Sequence, residues 1–270
     1  MLPAIAVIGA GTMGEALIKG LRRQDLIDPQ NIIAADPWAE RLDYLRETYA
    51  IQIAASNGEA ARKAKIIFLS VKPQVMGQAL EDLREAVSTD VLVFSIAAGV
   101  PVSKIRRGIG IDSIIRAMPN TPAQIGQGIT VWMATPEVTP EQREHALTIL
   151  KALGEEVYVA DEHYLDMATA LSGTGPAYVY LFMEAMVDAG VHLGFSRHVA
   201  EQLVFQTVIG SANYARQSSL HLAALRNQVT SPGGTTAEAL YHLDKGGFRT
   251  VLSRAIWAAF VRSEQLGKDE

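Results

Sequence analysis

A chain of 270 residues is long enough for two domains of ordinary size. Its net charge of -5 offers no basic footprint for nucleic acid, and the absence of cysteine excludes disulfides, thiol catalysis and thiolate-bound metal. The opening Met-Leu-Pro-Ala-Ile has no positive n-region, and no apolar run nears the ~20 residues of a membrane span, so a soluble cytoplasmic protein is expected. The histidines have no metal-ligand spacing, and no metal is expected.

In chain order, Ile5 to Ile8 reads as a buried parallel strand. Gly9, Gly11 and Gly14 then form a G-x-G-x-x-G turn, and Glu15 to Leu21 continues as a helix. The first Gly permits the tight turn, the second lets the backbone approach a pyrophosphate, and the third allows helix to pack on strand. Thr12 and Met13 lie at the same helix start, where unpaired N–H groups and the positive dipole end favour an anion. Asn31 to Ala35 is a second strand, ending at Asp36, which lies 22 residues after Gly14. That is about where an acid binds the adenosine ribose 2′-hydroxyl, although Asp36 followed by Pro37 also suits a helix N-cap. A ribose-facing Asp36 favours NADH over NADPH, with Arg41 as the charge that would offset it.

Short strands follow at Ile51 to Ala54, Lys65 to Ser70, Val91 to Ile96 and Ser113 to Met118, with Ser56 and Asn57 capping a small helix after the first. They run into Val71-Lys72-Pro73, Ala97-Ala98-Gly99 and Pro119-Asn120-Thr121-Pro122, where ligands bind in a doubly wound sheet. Lys72, at a strand end, reads more readily as a solvated charge than as a catalytic group. Thr139 to Leu153 is helical, and Glu155 to Ala160 is a last strand. The pattern implies an α/β fold: a doubly wound parallel sheet of the Rossmann type over residues 1–160, then an all-α domain over residues 161–270.

In the helical half, His163 to Leu193, Arg197 to Gln217 and Phe248 to Gln265 carry apolar residues at helical period. This half is expected to bury one face against another copy, giving a homodimer or larger homo-oligomer. Two Gly-rich islands interrupt it. Ser172-Gly173-Thr174-Gly175-Pro176 fits either a close helix approach across the dimer or a substrate contact. Gln228 to Thr236, with Ser231, Gly233, Gly234, Thr235 and Thr236, leads into a helix near Ala237. Amides after paired glycines at a helix start, with hydroxyls beside them, suit a carboxylate-bearing small molecule.

With these residues assembled, the sequence resembles the pyrroline-5-carboxylate reductase family. The resemblance is carried by Gly9-Ala10-Gly11, Val71-Lys72-Pro73, Met118 to Pro122, Leu171 to Tyr178, Val229 to Thr236 and Gly247-Phe248-Arg249, over essentially the whole chain. It implies NAD(P)H-dependent reduction of a cyclic imine acid to L-proline, the last step of proline biosynthesis. It also implies that Val71, Lys72, Pro73, Ile96, Ala97 and Ala98 hold the cofactor, with Asp36 and Asn57 on the adenosine side. Glu162, Gln228, Thr235 and Thr236 would line the substrate pocket, with Thr236 near the ring nitrogen and Ser231 beside it in the reacting loop. Glu162 also reads as an acid in a helix's first turn. In two places the chain departs from the family pattern. Asp36 stands where members that favour NADPH often have a small hydroxyl residue, and Ser219-Leu220-His221-Leu222 replaces an acid followed by His-Pro.

Reduction of a protonated imine needs no strong base, metal or nucleophile; it needs the carboxylate fixed and the carbon presented to the nicotinamide. A 3-hydroxyacid dehydrogenase would need a Lys in the helical half, and Leu171 to Gly194 contains none. A non-catalytic dinucleotide-binding regulator would have no use for the Ser231 to Thr236 loop. A six-membered cyclic imine stays open as a substrate, because one methylene is worth only ~1–3 kcal/mol.

Overall fold

Short apolar strands alternate with amphipathic helices through the first part of the computed structural model, which describes residues 1–268. The order is β1 (Ile5–Ile8), α1 (Thr12–Arg23), β2 (Ile32–Ala35), α2 (Ala39–Tyr49), β3 (Gln52–Ile53), α3 (Asn57–Arg62), β4 (Ile66–Leu69) and α4 (Met76–Arg84). Then come β5 (Leu92–Ser95), α5 (Val102–Ile109), β6 (Ile114–Met118), β7 (Gly128–Ala134), α6 (Pro140–Leu153) and β8 (Gly154–Tyr158). The helices that follow are α7 (His163–Ala168), α8 (Gly175–His192), α9 (Arg197–Gln217), α10 (Leu222–Gln228), α11 (Thr235–Lys245) and α12 (Phe248–Lys268). A π-turn at Thr169–Gly173 separates α7 from α8.

The eight strands form one sheet in the order β3-β2-β1-β4-β5-β6-β7-β8, and the order reverses at β1. Ile5 of β1 is in register with Ile32 on one side and Ile66 on the other. Helices cover both faces, so β1, β4 and β5 are buried at every residue and, apart from the closing Ser95, their sequences are continuous apolar runs. Ile5 and Val7 face a core with Leu17, Leu21, Leu45 and Ile149; Ala6 and Ile8 face another with Ala60, Leu80, Leu83 and Ile105. Phe68 and Phe94 stack within the first core, with centroids 5.2 Å apart.

β7 is the strand that sequence reading left out. It pairs antiparallel with β6, so the sheet is mixed at that edge. The physical reason is the link between them: Pro119 to Gln127 holds only a 3₁₀ turn at Thr121–Ile125, too short for the crossover a parallel neighbour needs. The α6 crossover then returns β8 parallel to β7. A capping box starts α6: the Thr139 hydroxyl accepts the Gln142 N–H, and the Gln142 side chain accepts the Thr139 N–H.

The strands end at Tyr158, close to the boundary expected at 160, but compactness draws the line elsewhere. One unit is Met1–Gly175 together with the chain from Ala259 onward; the other is Pro176–Ala258. The first keeps α7 because side chains bind it there: the Ser263 hydroxyl donates to Asp166 at 2.6 Å, and His163 meets Phe260 edge-on at 5.6 Å. The second unit is helical, with a small buried cluster of Val187, Ala200 and Val204. Large apolar side chains stay exposed on it, Leu181 at 67% and Trp257 at 66% among them. Among the described residues no helix is long and apolar enough to cross a membrane.

Candidate functional site

The glycine turn after β1 is shaped by contacts that leave no room for a side chain. Gly9 has φ +88°, a left-handed conformation that disfavours every other residue, and a Cβ on it would lie 2.9 Å from both Cγ1 and the backbone N of Val71. Its N–H donates to the Ala35 carbonyl at 2.9 Å, and the Ser70 hydroxyl donates to its carbonyl at 2.5 Å. A Cβ on Gly14 would meet that same Gly9 carbonyl at 2.4 Å, so Gly14 brings α1 against the strand. Gly11 differs: a Cβ there would meet nothing within 4 Å. The space beside it is a cradle that a side chain would fill, as a site for a pyrophosphate requires. Gly11 is also the N-cap of α1 and has no side chain, so the N–H groups of Thr12, Met13 and Gly14 lead the helix without an intrahelical acceptor.

A cavity of about 640 Å³ opens at these strand ends and is lined by Gly9, Gly11, Asp36, Asn57, Val71 and Lys72 among others. Six of the residues expected at the cofactor thus come together. A neighbouring recess of about 570 Å³ shares Gly11 and Asp36 and adds Thr12. Met13 is half-buried against the core and Gly14 is buried. Pro73 opens a 3₁₀ turn that redirects the chain after Lys72, which is exposed. Ile96 and Ala97 are buried and Ala98 half-buried in the segment following β5, outside the walls of either opening.

Asp36 Oδ2 accepts the Ala10 N–H at 2.8 Å, and Oδ1 accepts the Trp38 N–H at 3.0 Å. It therefore caps a turn and braces the glycine loop. The N-cap of α2 is Trp38, two residues beyond the position expected from the Asp-Pro pair. Beside it, Arg41 Nη2 pairs with Glu15 Oε2 at 2.5 Å while Arg41 Nε donates to the Ala10 carbonyl at 2.8 Å. The Tyr49 hydroxyl donates to Glu15 Oε1 at 2.9 Å. Burial alone raises the Glu15 carboxyl, but the hydrogen bonds from Arg41 and Tyr49 reverse this and hold it below the usual carboxylate range. Burial and the bond to Glu15 push the Tyr49 phenol up.

Sequence reading missed Glu15, Ser70, Gln78 and Asp82 here. Asp82 accepts from Asn57 Nδ2 and from Gln78 Nε2, each at 3.0 Å, so it fixes the Asn57 side chain at the cavity wall. The available clue was a polar residue closing an apolar strand, as Ser70 does.

Glu162 is tied into the sheet. Its Oε1 accepts from Arg116 Nη1 at 2.5 Å and from the Val102 N–H at 2.7 Å, and Arg116 Nη2 donates to the Ala97 carbonyl at 3.4 Å. One pair thus fastens β6, the start of α7 and the segment after β5. The Arg116 side chain is 7% exposed and would be left buried without its partner, whereas Glu162 is 32% exposed and can take up water. Removing the acid is therefore the worse loss. Glu162→Ala is expected to destabilise the protein by about 2 kcal/mol, the fully buried figure discounted for exposure, and Arg116→Met by roughly half as much. Urea unfolding of the two variants checks the order.

Of the Ser172–Pro176 island, Ser172 and Gly173 lie in the π-turn, Thr174 caps it, and Gly175 and Pro176 begin α8. Thr174 donates both N–H and hydroxyl to the Thr169 carbonyl, each at 2.8 Å, and a Cβ on Gly173 would meet Met118 Cε at 2.6 Å. The close approach that this glycine serves is to the end of β6. In the other unit, Gly233 takes φ +70° and the Gly234 N–H donates to the Ser231 carbonyl at 3.0 Å. Gly234 is the N-cap of α11, so the N–H groups of Thr235 and Thr236 lead that helix. Gln228, Ser231, Gly233 and Thr235 are exposed; Gly234 and Thr236 are half-buried. His221, within the departure from the family pattern, caps α10: its Nδ1 accepts the Ala223 N–H at 3.2 Å.

Two family models match the chain. Residues 4–99 match "NADP oxidoreductase coenzyme F420-dependent", and residues 162–266 match "Pyrroline-5-carboxylate reductase dimerisation". The chain is 42% identical to a pyrroline-5-carboxylate reductase of Pseudomonas aeruginosa, over 98% of this chain and 97% of that one. It is 41% identical to the one from Synechocystis, over 98% of both. A Plasmodium falciparum pyrroline carboxylate reductase solved with NADP bound superposes with a TM-score of 0.91, at 32% identity and 98% coverage of both chains. An Aquifex aeolicus prephenate dehydrogenase, at 12% identity and a TM-score of 0.56, shares the fold alone. With its dinucleotide-type glycine turn, its helical second unit and this similarity along its whole length, the chain belongs to the pyrroline-5-carboxylate reductase family.

Proposed function

We propose that this enzyme reduces 1-pyrroline-5-carboxylate to L-proline with NADH or NADPH. The observation that carries the reading is the match to pyrroline-5-carboxylate reductases over 98% of the chain, glycine turn and Val229–Thr236 loop included. A bound nicotinamide dinucleotide supplies the hydride. Gly9, Gly11, Thr12, Asp36, Asn57, Val71, Lys72 and Pro73 would hold it, with Ile96, Ala97 and Ala98 supporting the nicotinamide end. The Gly233 to Thr236 segment binds the substrate carboxylate, chiefly through the Thr235 and Thr236 amides, since the Gly234 N–H is engaged by Ser231. The Thr236 hydroxyl hydrogen-bonds the ring nitrogen, and Ser231 and Gln228 orient the remainder.

We also infer a homodimer through the helical unit. Its support is the match to a dimerisation model and the uncovered apolar side chains of that unit, which water alone would leave unfavourably hydrated. The test of activity is oxidation of NADH and NADPH, at matched concentrations, in the presence of pyrroline-5-carboxylate. Turnover with either cofactor supports the reading. No turnover with either, by protein that binds the cofactor, overturns it.

A further inference from the structure

The recess beside the cofactor cavity has a charge pattern that the reductase reading does not use. It shares Gly11 and Asp36 with that cavity and is lined besides by Thr12, Glu15, Trp38, Glu40, Arg41 and Tyr44. Among the described residues that line it, Arg41 is the sole cation, against three carboxylates. A 2′-phosphate on the adenosine ribose would need that cation. Yet Arg41 is committed elsewhere: Nη2 to Glu15 at 2.5 Å, Nε to the Ala10 carbonyl at 2.8 Å, and its guanidinium carbon 5.3 Å from the Tyr44 ring centre. Its side chain is only 18% exposed. Glu15 is held in turn by Tyr49, so the clamp has a second brace.

We propose that Glu15 sets the cofactor preference of this enzyme, by pairing with Arg41 inside the recess and leaving its net charge acidic, so that NADH is bound in preference to NADPH. This rests on the reading of the cavity as the dinucleotide site. A free 2′-hydroxyl donates to a carboxylate such as Asp36, whereas a phosphate there meets two uncompensated negative charges. Glu15 and Arg41 are specificity-determining residues: they act on the ribose substituent and take no part in hydride transfer.

The test is calorimetric titration of the protein with NADH and with NADPH, without imine. NADH is expected to bind at least about tenfold more tightly, 1.4 kcal/mol in affinity. In Glu15→Gln the freed Arg41 should improve NADPH binding by about three- to tenfold and change NADH by less than about twofold. Arg41→Ala added to Glu15→Gln should remove the gain. Equal or tighter binding of NADPH by the wild type overturns the proposal while leaving the cavity as the dinucleotide site. So does a gain in NADPH binding in Glu15→Gln that survives the further loss of Arg41. Binding of neither nucleotide overturns both readings.

Discussion

Thr236→Ala is expected to lower kcat/KM for imine reduction by about ten- to a thousandfold, the range for one hydrogen bond made in the transition state. Thr236 sits at the second position of α11, half-buried, just after a turn that Gly233 makes in the left-handed region. The helix is capped at Gly234 without any side chain, so the Thr236 hydroxyl is not part of the cap. Ala is a good residue for a first helical turn, and the variant should unfold within about 0.5 kcal/mol of wild type. Two companions separate chemistry from shape. Thr236→Val keeps the volume and loses the hydroxyl, and should be as slow as the Ala variant. Thr236→Ser keeps the hydroxyl and should recover most of the rate. Wild-type kcat/KM in Thr236→Ala would remove Thr236 from the reaction centre, and a Val variant much faster than Ala would make shape the cause.

The parts of the fold legible in the sequence are those whose determinants are local. β1 is a continuous apolar run because both sheet faces are covered, and it stops where Gly9 must turn. α9 was expected at Arg197–Gln217 and forms there, with Ser196 accepting the Val199 N–H at its start. β7 escaped because Ile129, Val131 and Met133 are apolar on its half-buried face while Ala134, Trp132 and Thr130 fill the buried one, which leaves no alternation to read. The end of α12 belongs with the sheet unit through a bond from Ser263 to Asp166, 97 residues away in sequence. The site divides the same way. The glycines, Asp36 and the strand-end residues announce themselves by spacing. Glu15 with Arg41, Ser70 with Gly9 and Arg116 with Glu162 are pairings that only the sheet order creates.

The motif itself can be separated into structure and binding. Gly11→Val is expected to weaken NADH binding by about a hundredfold or more, roughly 2.7 kcal/mol, at unchanged stability. Gly11 has φ -68° and ψ -162°, extended backbone that Val adopts readily, and a Cβ there meets no protein atom within 4 Å. The added methyls therefore cost the apo protein little, but they occupy the cradle that a pyrophosphate must approach at backbone distance. Gly14→Ala is the opposite case. Its Cβ would sit 2.4 Å from the Gly9 carbonyl, with Ser70 Oγ at 3.1 Å and Val7 Cγ1 at 3.2 Å, so α1 has to lift from the strand. A loss of about 1–3 kcal/mol in stability should accompany its weaker binding. Titration with NADH and urea unfolding on the two variants test the division together. If Gly11→Val binds NADH as the wild type does, the pyrophosphate does not lie at this turn. If it binds weakly only because it unfolds, the open space beside Gly11 serves the fold and not the ligand.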